Sequence, residues 1–102
     1  KLNYQAPEIC KKSGYFNAAK SDIWSLGVVL FMMLGCTPLY KKACDSDAYY
    51  MNIKNGYLRD MVNAWELSEF FDDNAFDLFA HIFVAESDRY TIDQVLSHEY
   101  FN

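Results

Sequence analysis

Apolar positions are unevenly distributed along the chain, and their spacing predicts helices. The densest run is Asp22 to Leu34, DIWSLGVVLFMML, in which ten of thirteen residues are large and apolar and fall on every face of a helix. A helix apolar all round is either buried or membrane-spanning. Thirteen residues rise only about 20 Å, short of the ~30 Å hydrocarbon core, so the pattern predicts a buried core helix. Trp24, Leu26, Val28, Leu30 and Phe31 are expected inside. Ser21 is the expected cap, Asp22 suits the positive end of the helix dipole, Gly35 is the expected stop, and Pro38 prevents continuation.

The remaining segments are weaker but readable. The first dozen residues, KLNYQAPEICKK, read as a loop ending in a short helical turn, and SGYFNAAKS as a polar connector. Residues 45–55 predict an amphipathic helix capped by Asp45 or Ser46, with Tyr49, Tyr50 and Ile53 on one flank and Gly56 as its stop. Residues 58–71 mix helical spacing with turn residues and predict a loop with one short helix. In residues 74–84, Ala75, Leu78, Phe79, Ile82 and Phe83 keep an i, i+3, i+4 face. Thr91-Ile-Asp-Gln94 matches a capping box, with Ile92, Val95 and Leu96 as the buried stripe of a last helix. No useful run alternates in the period of a strand. The expected class is all-α.

Composition narrows the chemistry. The 102 residues carry 9 basic and 14 acidic side chains, a formal charge of −5, and 18% aromatics. The aromatic content argues for a packed domain rather than a disordered tail. The acidic balance argues against a nucleic-acid partner, because phosphate binding relies on excess Lys and Arg. Cys10, Cys36 and Cys44 follow no metal-binding spacing and cannot all pair, which predicts reduced thiols in a cytoplasmic setting. His81 and His98 are too far apart in sequence to suggest a metal site alone, and no metal is expected. The first residue is Lys, no signal-peptide pattern is present, and the chain reads as an internal fragment.

One series of motifs points to a family. Ala6-Pro7-Glu8 alone is weak; such a tripeptide arises by chance in roughly one chain of this length in fifty. Its order relative to the other motifs carries the signal. D-I-W-S-L-G begins fourteen residues after Glu8 and includes Asp22, Trp24 and Gly27. Then come G-x-x-P-L-Y at residues 35–40 and the series Asp45, Tyr49 or Tyr50, Ile53, Gly56. D-R-Y-T-I at 88–92 and H-E-Y-F at 98–101 follow. Together these resemble the back half of a eukaryotic protein kinase catalytic domain, over essentially the whole chain. The D-x-W-S-L-G, G-x-x-P and H-x-x-F set leans toward the calcium/calmodulin-dependent-like group.

The resemblance implies a partial kinase domain over residues 1–102, from the end of the activation segment to the last helix of the large lobe, within an α+β parent. In that family Ala-Pro-Glu closes the activation segment. Glu8 is then expected to pair with Arg89, whereas alone it would read as a solvated loop acid. Asp22 would hold the catalytic loop of an upstream region, and Trp24 would pack beneath the activation segment. Tyr4 would line the substrate pocket; tyrosine there is usual in Ser/Thr kinases. Lys1 stands where those enzymes normally place a threonine, and it would sit at the substrate mouth.

By the same resemblance, the intact parent would use ATP and Mg²⁺ to phosphorylate Ser or Thr of a protein substrate. Nothing in the 102 residues matches a Gly-rich loop, a strand lysine, H-R-D or D-F-G, which bind the nucleotide and accept the hydroxyl proton. No catalytic residue is therefore assigned to this chain. Its expected partners are a protein substrate and the missing upstream kinase regions, with neither nucleic acid nor membrane. Two rivals remain: a pseudokinase that uses the fold for binding, and an unrelated helical domain in which Glu8 and Arg89 lie far apart.

Overall fold

The computed structural model describes residues 2–11 and 14–102. Among them are helices and turns and no strand. A 3₁₀ turn at Leu2–Tyr4 leads into α1 (Pro7–Lys11), where Pro7 occupies the first helical position and its missing N–H costs nothing. The long α2 (Ala18–Gly35) follows, then α3 (Ala48–Lys54), α4 (Leu58–Ala64), α5 (Asp73–Ile82) and α6 (Ile92–Leu96). Further 3₁₀ turns lie at Ser68–Phe70, Glu86–Asp88 and Glu99–Phe101.

Several boundaries differ from the sequence expectation. α2 starts four residues before Asp22, because Asn17 takes the extended conformation and its side chain accepts from the Lys20 amide at 3.2 Å. Ser21 is therefore not the cap; it lies inside the helix. At the other end Gly35 is still helical, and Cys36 adopts the left-handed conformation at φ +53°. α3 is capped by Asp47 rather than Asp45 or Ser46. One Asp47 oxygen accepts from Tyr49 and Tyr50, and the other accepts from Lys41 and Lys42. Four backbone donors outcompete the local advantage of either neighbour. Residues 58–71 hold the expected short helix, α4, followed by the Ser68–Phe70 turn. Thr91 and Gln94 form the capping box reciprocally, at 2.8 and 3.3 Å.

The core is built around one side of α2. Trp24, Val28 and Phe31 are buried against Phe71, Leu78, Phe79, Ile82 and Phe83. Trp24 meets Phe83 edge-on at 4.9 Å, and Phe79 stacks on Phe83 at 5.4 Å. Such pairs add to the burial of aromatic area. The expectation of burial on every face is overturned. Leu26 is 42% exposed and Met33 72%, Val29 lies on the same open stripe, and Leu30 is only half-buried. These residues recur at i, i+3, i+4 and i+7, so they share one face, which α5, α6 and the last turn border along one edge but leave open. The same holds for α6, where Val95 is buried but Ile92 and Leu96 are exposed. With eighteen residues α2 is long and apolar enough to cross a membrane. Its length therefore no longer argues against a span; the burial of Trp24, Val28 and Phe31 at the centre of the core does.

At Gly27, α2 packs tightly against the end of α5. A methyl group there would lie 2.6 Å from the Ile82 Cγ2 and 3.0 Å from the Phe83 ring. Gly27→Ala gains about 1 kcal/mol of helix propensity but overpacks the contact, at a cost of roughly 1–3 kcal/mol. The expected result is a net loss of about 1 kcal/mol in thermal denaturation. A melting temperature that stays level or rises would show that Ile82 and Phe83 can move aside.

Candidate functional site

Glu8, in the first turn of α1, and Arg89, just after the Glu86–Asp88 turn, meet across 81 positions of sequence. Arg89 Nη1 donates to Glu8 Oε2 at 2.6 Å, and Nη2 donates to Oε1 at 3.0 Å. The guanidinium is fully buried, with its side chain 0% exposed. Its other donors are also engaged: Nη1 reaches the Lys20 carbonyl at 2.9 Å, and Nη2 and Nε reach the Val84 carbonyl at 2.9 and 3.3 Å. Its Cζ lies 5.0 Å from the Trp24 ring centre, a cation–π contact. A buried charge is tolerable only when its hydrogen bonds are complete, and a planar fork of five donors can complete them where an ammonium cannot.

The carboxylate is equally engaged. Ser21, inside α2, donates its hydroxyl to Glu8 Oε2 at 2.7 Å. Burial alone would push the Glu8 pKa up, but hydrogen bonds from Arg89 and Ser21, with the charge of Arg89, outweigh it and hold the carboxyl below its ordinary value. One ion pair thus joins α1, the first turns of α2 and the segment after α5. A second tie runs beside it, where Glu86 accepts from the Asn17 amide at 2.7 Å and its carbonyl from Lys20 Nζ at 3.3 Å.

The segment before α1 rests on α2. Ala6 is fully buried and Tyr4 packs against the core. The Tyr4 carbonyl accepts from Ser25 Oγ at 2.6 Å. Trp24 Nε1 donates to the Tyr40 hydroxyl at 2.6 Å, and that hydroxyl donates to the Gln5 carbonyl at 3.4 Å. Burial holds the Tyr40 phenol well above its ordinary pKa, so it stays protonated.

The sequence-predicted residues therefore sort by place. Glu8, Arg89 and Trp24 come together; Ala6, Pro7 and Tyr4 form the segment that they hold; Gly27 sits one turn further along α2. Asp22 is exposed and, among the described residues, its side chain accepts no hydrogen bond. Lys1 lies outside the described residues. Sequence reading missed Ser21, Ser25 and Tyr40. The serines stand four apart on one face of α2, which was the available signal, and Tyr40 closes the G-x-x-P-L-Y motif, though nothing there names its partners. It also missed a convergence on Asp77, whose Oδ2 lies 2.6 Å from His98 Nε2 and 3.7 Å from His81 Nδ1. His98 Nδ1 meanwhile accepts from the Tyr100 amide, capping the last turn. These histidines serve a helix end.

Arg89→Ala strands a partly buried acid and is expected to cost roughly 3–5 kcal/mol, with Arg89→Lys recovering little of it. Because the folded-state pKa of Glu8 is depressed, its contribution is present above the ordinary glutamate pKa and lost as pH falls through the depressed value. Chemical denaturation of wild type and Arg89→Ala should differ most near pH 7 and converge as pH falls through the depressed Glu8 pKa. A constant gap across that range would rule out the ionised pair as its source.

The protein kinase domain family matches residues 1–101 of the chain. CBL-interacting serine/threonine-protein kinase 5 of Arabidopsis thaliana is 37% identical over 87 residues, covering 84% of this chain and 17% of that protein. Inactive serine/threonine-protein kinase PLK5 of Mus musculus is 29% identical over 101 residues, covering 98% of this chain and 15% of that protein. The chain thus spans less than a fifth of the length of these relatives. The crystal structure of the Rad53 kinase domain with SCD2 superposes with a TM-score of 0.70 at 21% identity, covering 99% of this chain and 37% of that one, which establishes the likeness of fold. All-helical and matched by the family from end to end, the chain belongs to the protein kinase domain family.

Proposed function

We propose that this chain is the substrate-docking and scaffold part of a protein Ser/Thr kinase, running from the end of the activation segment to the last helix of the large lobe. The parent would transfer the γ-phosphoryl group of ATP to a Ser or Thr hydroxyl of a protein. The observation that carries this reading is the buried Glu8–Arg89 pair, which fixes the Ala6-Pro7-Glu8 turn and with it the segment bearing Tyr4. Catalysis of this type is mostly positioning and electrostatics, so a rigid platform is a functional part.

ATP and Mg²⁺ are assigned to the upstream part of the parent. Glu8 is committed to Arg89, and among the described residues no three of His, Cys, Asp and Glu converge as a cation site. Two features support an upstream partner: the exposed stripe of Leu26, Val29 and Met33 on α2, and the exposed carboxylate of Asp22, available to anchor a catalytic loop. Lys1 and Tyr4 would contact the protein substrate. The free cysteines Cys10, Cys36 and Cys44 support a reducing, cytoplasmic setting.

The second reading, a pseudokinase used for binding, is favoured by Lys1 at the threonine position and by the inactive mouse relative. The test is phosphate incorporation into Ser/Thr peptides by the full-length protein with ATP and Mg²⁺. Transfer is expected, with Tyr4→Ala raising the peptide KM and leaving the ATP KM unchanged. Lys1→Thr is expected to raise kcat, because a smaller neutral group leaves room for the incoming hydroxyl. Absence of transfer in both Lys1 forms would decide for the pseudokinase.

A further inference from the structure

We infer that Ser25 and Tyr40 are positioning residues of the substrate platform, their hydroxyls holding the Tyr4 and Gln5 carbonyls against α2. This deepens the kinase reading and rests on it. The Tyr4 turn has a backbone deficit. Pro7, three residues after Tyr4, has no N–H to offer its carbonyl, so the turn cannot close on itself there. A carbonyl partly withdrawn from water needs a donor from elsewhere.

Ser25 supplies the first. A serine inside a helix commonly donates back to the carbonyl four residues earlier. Here that contact, to Ser21, is 3.3 Å, while the Tyr4 carbonyl stands at 2.6 Å. A hydroxyl has one proton, and the shorter contact takes it. Tyr40 supplies the second. Its oxygen accepts from the Trp24 indole at 2.6 Å, which turns the phenolic proton toward the Gln5 carbonyl at 3.4 Å. The same indole lies against the Arg89 guanidinium. Trp24 therefore connects the ion pair to the platform through Tyr40. The Gln5 side chain is held too, by a weak contact from the Cys10 thiol at 3.7 Å.

The platform thus hangs from two side-chain hydroxyls, 21 and 35 residues away along the chain. Removing one loosens the surface on which a peptide lies and leaves the nucleotide end unaffected. In the full-length protein, Ser25→Ala and Tyr40→Phe are each expected to raise the peptide KM roughly 5-fold, the effect of one lost hydrogen bond. The ATP KM should not move. Ser25→Thr, which retains the hydroxyl, should stay near wild type. Hydrogen exchange is the second readout: amides of residues 3–6 should exchange faster in both variants, while α5 is unchanged in Ser25→Ala. Tyr40→Phe also strands the Trp24 N–H and lowers global stability, so Ser25→Ala decides where the two differ. Faster exchange with an unmoved peptide KM would overturn the role in substrate positioning. Unmoved exchange would overturn the anchoring itself. Wild-type protein that transfers no phosphate would instead remove the kinase reading, and exchange would still test the anchoring.

Discussion

A guanidinium buried without access to water must place all five of its N–H groups within the protein, and most of this fold follows from how Arg89 does so. Its donors reach Glu8 in α1, the Lys20 carbonyl in α2 and the Val84 carbonyl after α5. These three segments are far apart in sequence, and hydrophobic contact alone would let them slide against one another. Ion-pair and hydrogen-bond geometry fixes both distance and angle. Ser21 completes the carboxylate, and among the described residues no buried side-chain N or O lacks a partner.

The second constraint is the close approach of α2 to α5. Gly27 leaves room for Ile82 and Phe83, which brings Phe83 edge-on against Trp24. Trp24 then has three neighbours of different kinds: an aromatic ring, a cation and a phenol oxygen. It is therefore both a core residue and a connector. The hydrophobic effect holds the helix inside, and the polar contacts at its first turns orient the segment bearing Tyr4 and Gln5.

α2 is packed on one side only. Trp24, Val28 and Phe31 face the core, and Leu26, Val29 and Met33 face outward. An exposed apolar stripe of that kind is a surface that another element can cover. It matches the proposal that upstream elements complete the domain, and the exposed Asp22, one turn before Leu26 on the same face, fits it too.

The all-helical class, the central helix, the α5 periodicity, the Thr91 capping box and the pairing of Glu8 with Arg89 were legible in the amino-acid order. Periodicity and capping are local, set by residues three or four apart, and the ion pair was legible through the resemblance carried by its motifs. Only the tertiary structure decided the rest. Asn17 and Asp47 won as caps because their carboxamide and carboxylate met amides that the competing residues did not reach. One face of α2 stayed open because burial depends on what packs against a helix as well as on its own composition. Residues such as Leu26 and Val28 carry the same sequence signal and lie on opposite sides. Ser25 found Tyr4 because folding brought a donor to a carbonyl that Pro7 had left without one, and Tyr40 reached Gln5 across 35 residues of sequence. Such pairings are set by distance in space, to which hydrophobic spacing along the chain is blind.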